Sequence, residues 1–348
     1  MIAYLLLMSL PLLFGLTQPR RAPDAALILV AILYWLFIGL RFQTGTDWFG
    51  YMNQLRVVKY LDLPKIWQQA EPGFWTLLWI NDRTGWGLTG INIMSATVFL
   101  IGLFAFARKT ASPWIAVAVA TSYLVLTLGM GGIRQAMAMG LIFIVLADWN
   151  KRSTASKLLF IGAASLFHFS AVFMAAFLAF GKGSSRRLQV LGIFGAGLVV
   201  IFLTRSQPEQ VDIYMQRYVG EGSVVAQGAI FHALLNALPA GVYLLFRKRW
   251  REYFGPNPLL IALSLAALAM LPLVFVSSIA ASRLSMYLTV APMMIWASAP
   301  LVFGGQKSQA QLAAGVLAVQ AGVMVVWLAF ANVAPAFFPY RNVLLGAG

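Results

Sequence analysis

Three arginines stand at the edges of apolar stretches. Arg41 closes one, Arg134 lies within Gly131-Gly132-Ile133-Arg134-Gln135, and Arg283 within Ala281-Ser282-Arg283-Leu284. A guanidinium keeps its charge in low dielectric and pairs with phosphate oxygens two at a time, so the chemistry these positions offer is anion binding. Arg134 follows two glycines at an expected helix start, where free backbone N–H groups also favour an anion. The competing reading of each arginine is snorkelling to lipid headgroups. Asp47 has two readings, a helix N-cap or a group that pairs Arg41 or accepts a proton from a hydroxyl. His168, between Phe167 and Phe169, is either a satisfied core histidine or an acid–base or phosphate-contacting group. Glu71, just before Pro72, divides between capping and ligand contact, and His232, among apolar residues, reads as structural.

These groups must be positioned inside a membrane. Of 348 residues, 61% are hydrophobic and 10% charged, against roughly a quarter charged in ordinary soluble domains. A net charge of +15 would suggest nucleic acid in a soluble protein. Here lysine and arginine fall in short loops, where they set orientation and touch anionic headgroups, and no basic face interleaved with aromatics exists outside them. Cysteine is absent and only two histidines occur, which argues against a metal or haem centre, and no cofactor is expected. The apolar run 2–16 has no basic residue before it, while Arg20 and Arg21 follow. It reads as a first span with its N-terminus outside.

The apolar runs predict an all-α, polytopic integral membrane protein of about 11–13 transmembrane helices forming a single membrane domain over residues 1–348. Spans are expected near 2–16, 25–40, 88–107, 113–129, 133–149, 188–204, 230–246, 259–277, 285–303 and 312–330. The stretch 158–180 is either one span or a hairpin of two short helices turning at Phe167-His168-Phe169. As a hairpin it leaves 15 basic residues inside and 10 outside; as a single span the count becomes 11 and 14. The positive-inside rule therefore selects the hairpin. About ten residues per arm rise only about 15 Å, half the hydrocarbon core. Backbone turning at that depth is tolerated where it is buried in protein or lines a wet cavity, so His168 is expected at the apex of a half-depth hairpin beneath an outward-facing pocket. In this topology Arg41, Arg134 and Arg283 share the outer side.

The long connection 41–87 is expected to hold two amphipathic helices lying in the interface. One begins at Thr46-Asp47 and carries Trp48, Tyr51, Met52, Leu55 and Val58 on one stripe; the other opens at Glu71-Pro72 with Phe74, Trp75, Leu77 and Leu78. A second outer loop, 205–228, carries Glu209, Asp212, Tyr214, Arg217, Tyr218 and Glu221 and reads as a lid or ligand-contacting segment.

The segment from Gly39-Leu40-Arg41 through Gly45-Thr46-Asp47 to Tyr51 resembles the "glR…GtD…Y" signature of the EpsG family. Glu71-Pro72-Gly73-Phe74, Ile133-Arg134-Gln135, Phe167-His168-Phe169-Ser170, Arg283-Leu284-Ser285-Met286-Tyr287 and Pro339-Tyr340-Arg341-Asn342 resemble its later motifs in order. The departures are local: Gln43-Thr44 precedes the glycine where the family often has a small apolar residue, and Phe49-Gly50 separates Trp48 from Tyr51. The resemblance implies a Wzy-like polymerase of exopolysaccharide, O-antigen or capsule pathways, with GT-C-like architecture, in the bacterial cytoplasmic membrane with its active site towards the periplasm. It implies a glycan donor and acceptor carried on undecaprenyl diphosphate, contact with membrane lipid, a chain-length-regulating co-polymerase as partner, and no nucleic acid. It implies catalytic roles for Asp47, His168, Arg134 and Arg283. Substrate or diphosphate contact is implied for Arg41, Arg134, Gln135, Arg283, Tyr51, Glu71 and Tyr287. Asp47 and His168 remain alternative bases. The rival functions are a lipid-linked oligosaccharide flippase or transporter and a glycan ligase.

Overall fold

The computed structural model describes residues 1–17, 22–181, 187, 190, 228–305 and 308–346. The expected span 188–204, the loop 205–228 up to Gln227 and the basic residues Arg20, Arg21, Lys182, Arg186 and Lys307 lie outside the described residues. Those described are helical, with no strand among them. In chain order the helices are α1 (Ile2–Thr17), α2 (Asp24–Gly39), α3 (Trp48–Val58), α4 (Leu63–Trp67), α5 (Pro72–Thr84), α6 (Gly87–Ala107), α7 (Pro113–Gly131), α8 (Ile133–Ala147) and α9 (Thr154–Phe167). There follow α10 (Ala229–Leu245), α11 (Arg247–Phe254), α12 (Pro258–Val276), α13 (Ser278–Leu288), α14 (Val290–Phe303) and α15 (Gln309–Phe330).

Among the described residues four helices (α6, α7, α12 and α15) are long and apolar enough to cross a membrane, or six spans if the bent pairs α10–α11 and α13–α14 each count as one. This is fewer than the hydropathy runs suggest, because α1, α2, α8 and α9 are apolar but only 14 to 16 residues long. Sixteen residues rise about 24 Å, short of the hydrocarbon thickness.

Chain direction alternates through the bundle. Arg108 after α6 pairs with Asp24 at the start of α2 (2.8 Å), and Lys109 pairs with Asp148 just beyond α8 (3.5 Å). The ends of α6 and α8 thus share one face, and the loop holding α3–α5 sits on the other. The hairpin expected from the charge count is present. α9 stops at His168, whose backbone turns extended, and a 3₁₀-helix (Phe169–Phe177) leads back. Trp149, beside the start of α9, donates its indole N–H to the carbonyl of Phe180 at 2.8 Å, so both feet of the hairpin stand on the same face.

Two close approaches fix the packing, one within the bundle and one at the loop face. Gly102 of α6 and Gly140 of α8 bring those backbones together where any Cβ would collide with a carbonyl, a small-residue contact of the kind that lets membrane helices pack tightly. Gly45 has φ +112 and rests on the Met130 carbonyl at the end of α7. Its N–H donates to Ala336 (2.9 Å) in the C-terminal tail. That tail also forms an antiparallel bridge between Asn342 and Arg41, and Tyr340 stacks on Phe37 at 4.1 Å. The loop, the α7–α8 junction and the tail are therefore one clamp. Gly45→Ala must both strain φ and displace Met130, and is expected to destabilise the protein by about 2–4 kcal/mol. Thermal unfolding in detergent checks this against Gly50→Ala, whose new methyl meets no neighbour within 4 Å; equal melting of the two variants would remove the clamp argument.

Candidate functional site

The loop helices form as their patterning predicts. Trp48, Tyr51 and Val58 of α3 and Phe74 and Leu78 of α5 share a small core with Ile66, Leu88, Ile91 and Ile133. This core holds α5 against the start of α8. Glu71 heads α5 but caps nothing: its φ is +62, and no side-chain bond to the helix N-terminus forms. A left-handed backbone costs a residue with a Cβ about 1–2 kcal/mol. Here it turns the carboxylate away from α5 and into the protein, where the side chain is 1% exposed.

There Glu71 joins three elements. Oε2 receives Nη1 of Arg134 at 2.6 Å, Oε1 meets Nδ1 of His168 at 2.6 Å, and Oε1 also accepts the Phe169 N–H at 3.2 Å. Burial alone pushes this carboxyl up; the His168 hydrogen bond and charge, Arg134 and the Phe169 amide outweigh it and hold it at about 2. Glu71 is therefore ionised and can only accept, which puts a proton on His168 Nδ1 and, in the neutral imidazole, leaves the lone pair on Nε2. Nε2 is buried and has no hydrogen-bond partner.

The depressed carboxyl carries a stability signature. Its folded value of about 2 lies below its ordinary 4.5, so its stabilisation is complete above pH 4.5 and disappears as pH falls through 2. Melting temperature should drop across that window in the wild type, and Glu71→Gln should flatten the drop. An unchanged acid profile in the variant would contradict the assignment.

The other expected site residues fall into two groups. Arg134, 28% exposed at its side chain, stands over the Phe74 ring at 5.8 Å and beside Tyr51. Tyr51 is buried and donates weakly to Asp47 Oδ2 at 3.5 Å; burial, then Asp47, push its hydroxyl up to about 12, so it remains a donor. Gln135 donates from Nε2 to the backbone carbonyl of Arg283 at 2.9 Å, tying α8 to α13. Arg283 lies within electrostatic reach of His168 and Tyr287, and the Tyr287 hydroxyl accepts from Ser170 at 3.3 Å. Glu71, Arg134, Gln135, His168, Arg283, Tyr51 and Tyr287 thus converge.

Two residues are placed differently. Arg41 is 1% exposed and donates to the carbonyls of Ile38 (2.6 Å) and Thr44 (3.3 Å), so its charge braces the loop backbone from within. Asp47 sits at the N-cap position of α3 without a capping bond and is exposed, with the Tyr51 hydroxyl as its contact towards the loop core. Arg283 also lies mid-helix and not at a span start, because Ser277 caps α13 by accepting the Ala280 N–H at 3.3 Å.

Sequence reasoning missed the dyad itself and three neighbours. Ser170 stood out only as part of the motif around His168, and Ser282, which bonds His232 Nδ1 at 2.8 Å, carried no signal of its own. The third is a π-helical end to α7, Thr121–Gly131, a form that recurs at functional sites. It presents Tyr123 to the His232 ring at 4.5 Å.

The family model described as "EpsG family" matches residues 24–342. No curated protein and no solved structure matches the chain.

Proposed function

The chain belongs to the EpsG family, a family of Wzy-like polymerases, and from that premise we propose that it joins oligosaccharide repeat units carried on undecaprenyl diphosphate into a surface polysaccharide. At the coarser level it is an exopolysaccharide polymerase-like membrane protein and a polymerase-type glycosyltransferase. The finer reading takes a GT-C-type, inverting transfer in the bacterial cytoplasmic membrane, with the α3–α5 face towards the periplasm. Arg108, Lys109, Lys151, Arg152 and the basic residues of α11 gather on the opposite face, which supports that orientation. A chain-length regulator is the partner expected from the family.

The observation that carries the reading is the Glu71–His168 pair with its unpartnered Nε2 beside two arginines. An acceptor sugar hydroxyl attacks the anomeric carbon of the donor, and His168 Nε2 takes its proton. The new glycosidic C–O bond forms as the bond to the lipid diphosphate breaks, and the diphosphate leaves with the electron pair. Arg283 and the exposed part of Arg134 stabilise the charge developing there. Glu71 acts through His168, holding the imidazole in the tautomer that accepts a proton, as carboxylates do in hydrolytic triads. Asp47, exposed at the rim, is the less favoured base.

The test is a purified-protein assay with synthetic polyprenyl-diphosphate repeat units. A ladder of products differing by one repeat is expected. A single transfer without a ladder would point to a ligase, and unmodified substrate moved across a vesicle membrane to a flippase; either would displace the polymerase reading.

A further inference from the structure

Beside the candidate site, among the described residues, lies a cavity of about 370 Å³ between α10, α13 and α15. Its volume falls within the range of about 300–1,000 Å³ usual for ligand sites. The wall is apolar, with the flat rings of Phe231, Trp327, Phe330 and Phe337 beside the aliphatic Val326 and Val333. Of the four polar lining residues, Thr46, Thr127, His232 and Asn332, three join the site. Thr46 precedes Asp47, His232 is bonded to Ser282 next to Arg283, and Thr127 touches Met286 and accepts the Gly132 N–H at the start of α8. On the other side the cavity is bordered by exposed apolar residues of α15 and its C-terminal end, with Phe330 78%, Val326 46% and Val333 46% exposed. α15 is apolar and long enough to cross a membrane, so this border meets hydrocarbon.

We propose that this cavity is the lateral cradle for the first isoprenyl units of the lipid carrier whose diphosphate sits at Arg283. The inference rests on the polymerase reading for its headgroup. A lipid gripped by its phosphates beside α13 must run its chain out of the protein next to Ser282, and the cavity adjoins that point. Its apolar wall and hydrocarbon border match a chain, whereas its threonines and histidine match only the polar end of one. His232 and Ser282 accordingly mark the junction between headgroup and chain.

The full chain in phospholipid nanodiscs is exposed to a long polyprenyl phosphate, without sugar, carrying a photoreactive group on its first isoprene units. Adducts are expected on α10 and α15 residues lining the cavity. Unlabelled polyprenyl phosphate should compete for them, and excess phospholipid should not. Ala331→Trp and, on the same helix end, Val326→Trp fill the space from two positions, and each should lower labelling by about tenfold. Adducts spread evenly over the outer surface, competition by phospholipid, or undiminished labelling in a folded filling variant would overturn the proposal. Ladder formation is read separately on the same preparation. Cavity labelling without a ladder defeats the polymerase reading alone; a ladder with labelling elsewhere defeats the cradle alone.

Discussion

Glu71→Gln is expected to leave a folded protein whose rate of ladder growth is lower by about 10³–10⁴-fold, the scale seen when a carboxylate that fixes a catalytic imidazole is neutralised in place. The carboxylate accepts from three donors at once: Arg134, His168 Nδ1 and the Phe169 N–H. An amide has one oxygen. If that oxygen faces His168, the NH₂ group confronts the Arg134 guanidinium, donor against donor. If the amide flips, its NH₂ faces Nδ1, which must then give up its proton and place it on Nε2. The base is lost in the second case and the arginine displaced in the first. The effect should appear chiefly in kcat, because Glu71 is buried and acts through His168 and Arg134, the groups assigned to the proton and to the charge that develops on the leaving diphosphate. His168→Gln should be as inactive, and the double variant no worse than either, since the two act as a unit. A variant within tenfold of wild type would remove the dyad from the mechanism.

The parts of this site that were legible beforehand are those that hydropathy and charge control. The hairpin at His168 followed from where lysines and arginines fall, and the Trp149–Phe180 hydrogen bond shows both feet on one face. The stripes on α3 and α5 followed from helical spacing, and they form the small core that carries Glu71 to α8. The role of Glu71 was not legible. A glutamate before a proline at a helix start reads as a cap, and nothing in residue type announces φ +62, the one feature that reverses its direction. The setting of Arg41 was hidden for the opposite reason. Its type and position suit an anion, but its surroundings are set by a tail some 300 residues later, which pairs with it at Asn342 and closes it in. The extension of α13 back to Ser278 was hidden because its first turns are too polar to read as a span, although Ser277 is a sound cap. Membrane-depth helices with a polar start are set by tertiary partners, here Asn236 on α10, which donates to the Ser285 carbonyl at 2.9 Å.

Arg283 and Arg134 should separate in their effects, although both are assigned to the leaving diphosphate. Arg283→Ala is expected to lower kcat by about 10²–10³-fold, the usual loss when one preorganised charge stabiliser is removed. Its abundance and melting temperature should stay near wild type, because Gln135 holds the backbone carbonyl of residue 283 and the α8–α13 tie survives truncation of the side chain. Arg283→Lys should recover part of the rate, since an ammonium supplies the charge but not the paired donors of a guanidinium. Arg134→Ala behaves differently because it also removes the arginine, one of three donors, from a buried carboxylate. Breaking a buried ion pair from one side costs up to about 3–5 kcal/mol, so this variant should lose stability together with activity. Adding Glu71→Gln to Arg134→Ala should restore much of the melting temperature and none of the rate. Full-length polymer from Arg283→Ala, at wild-type rate in purified protein, would show that the diphosphate is held elsewhere.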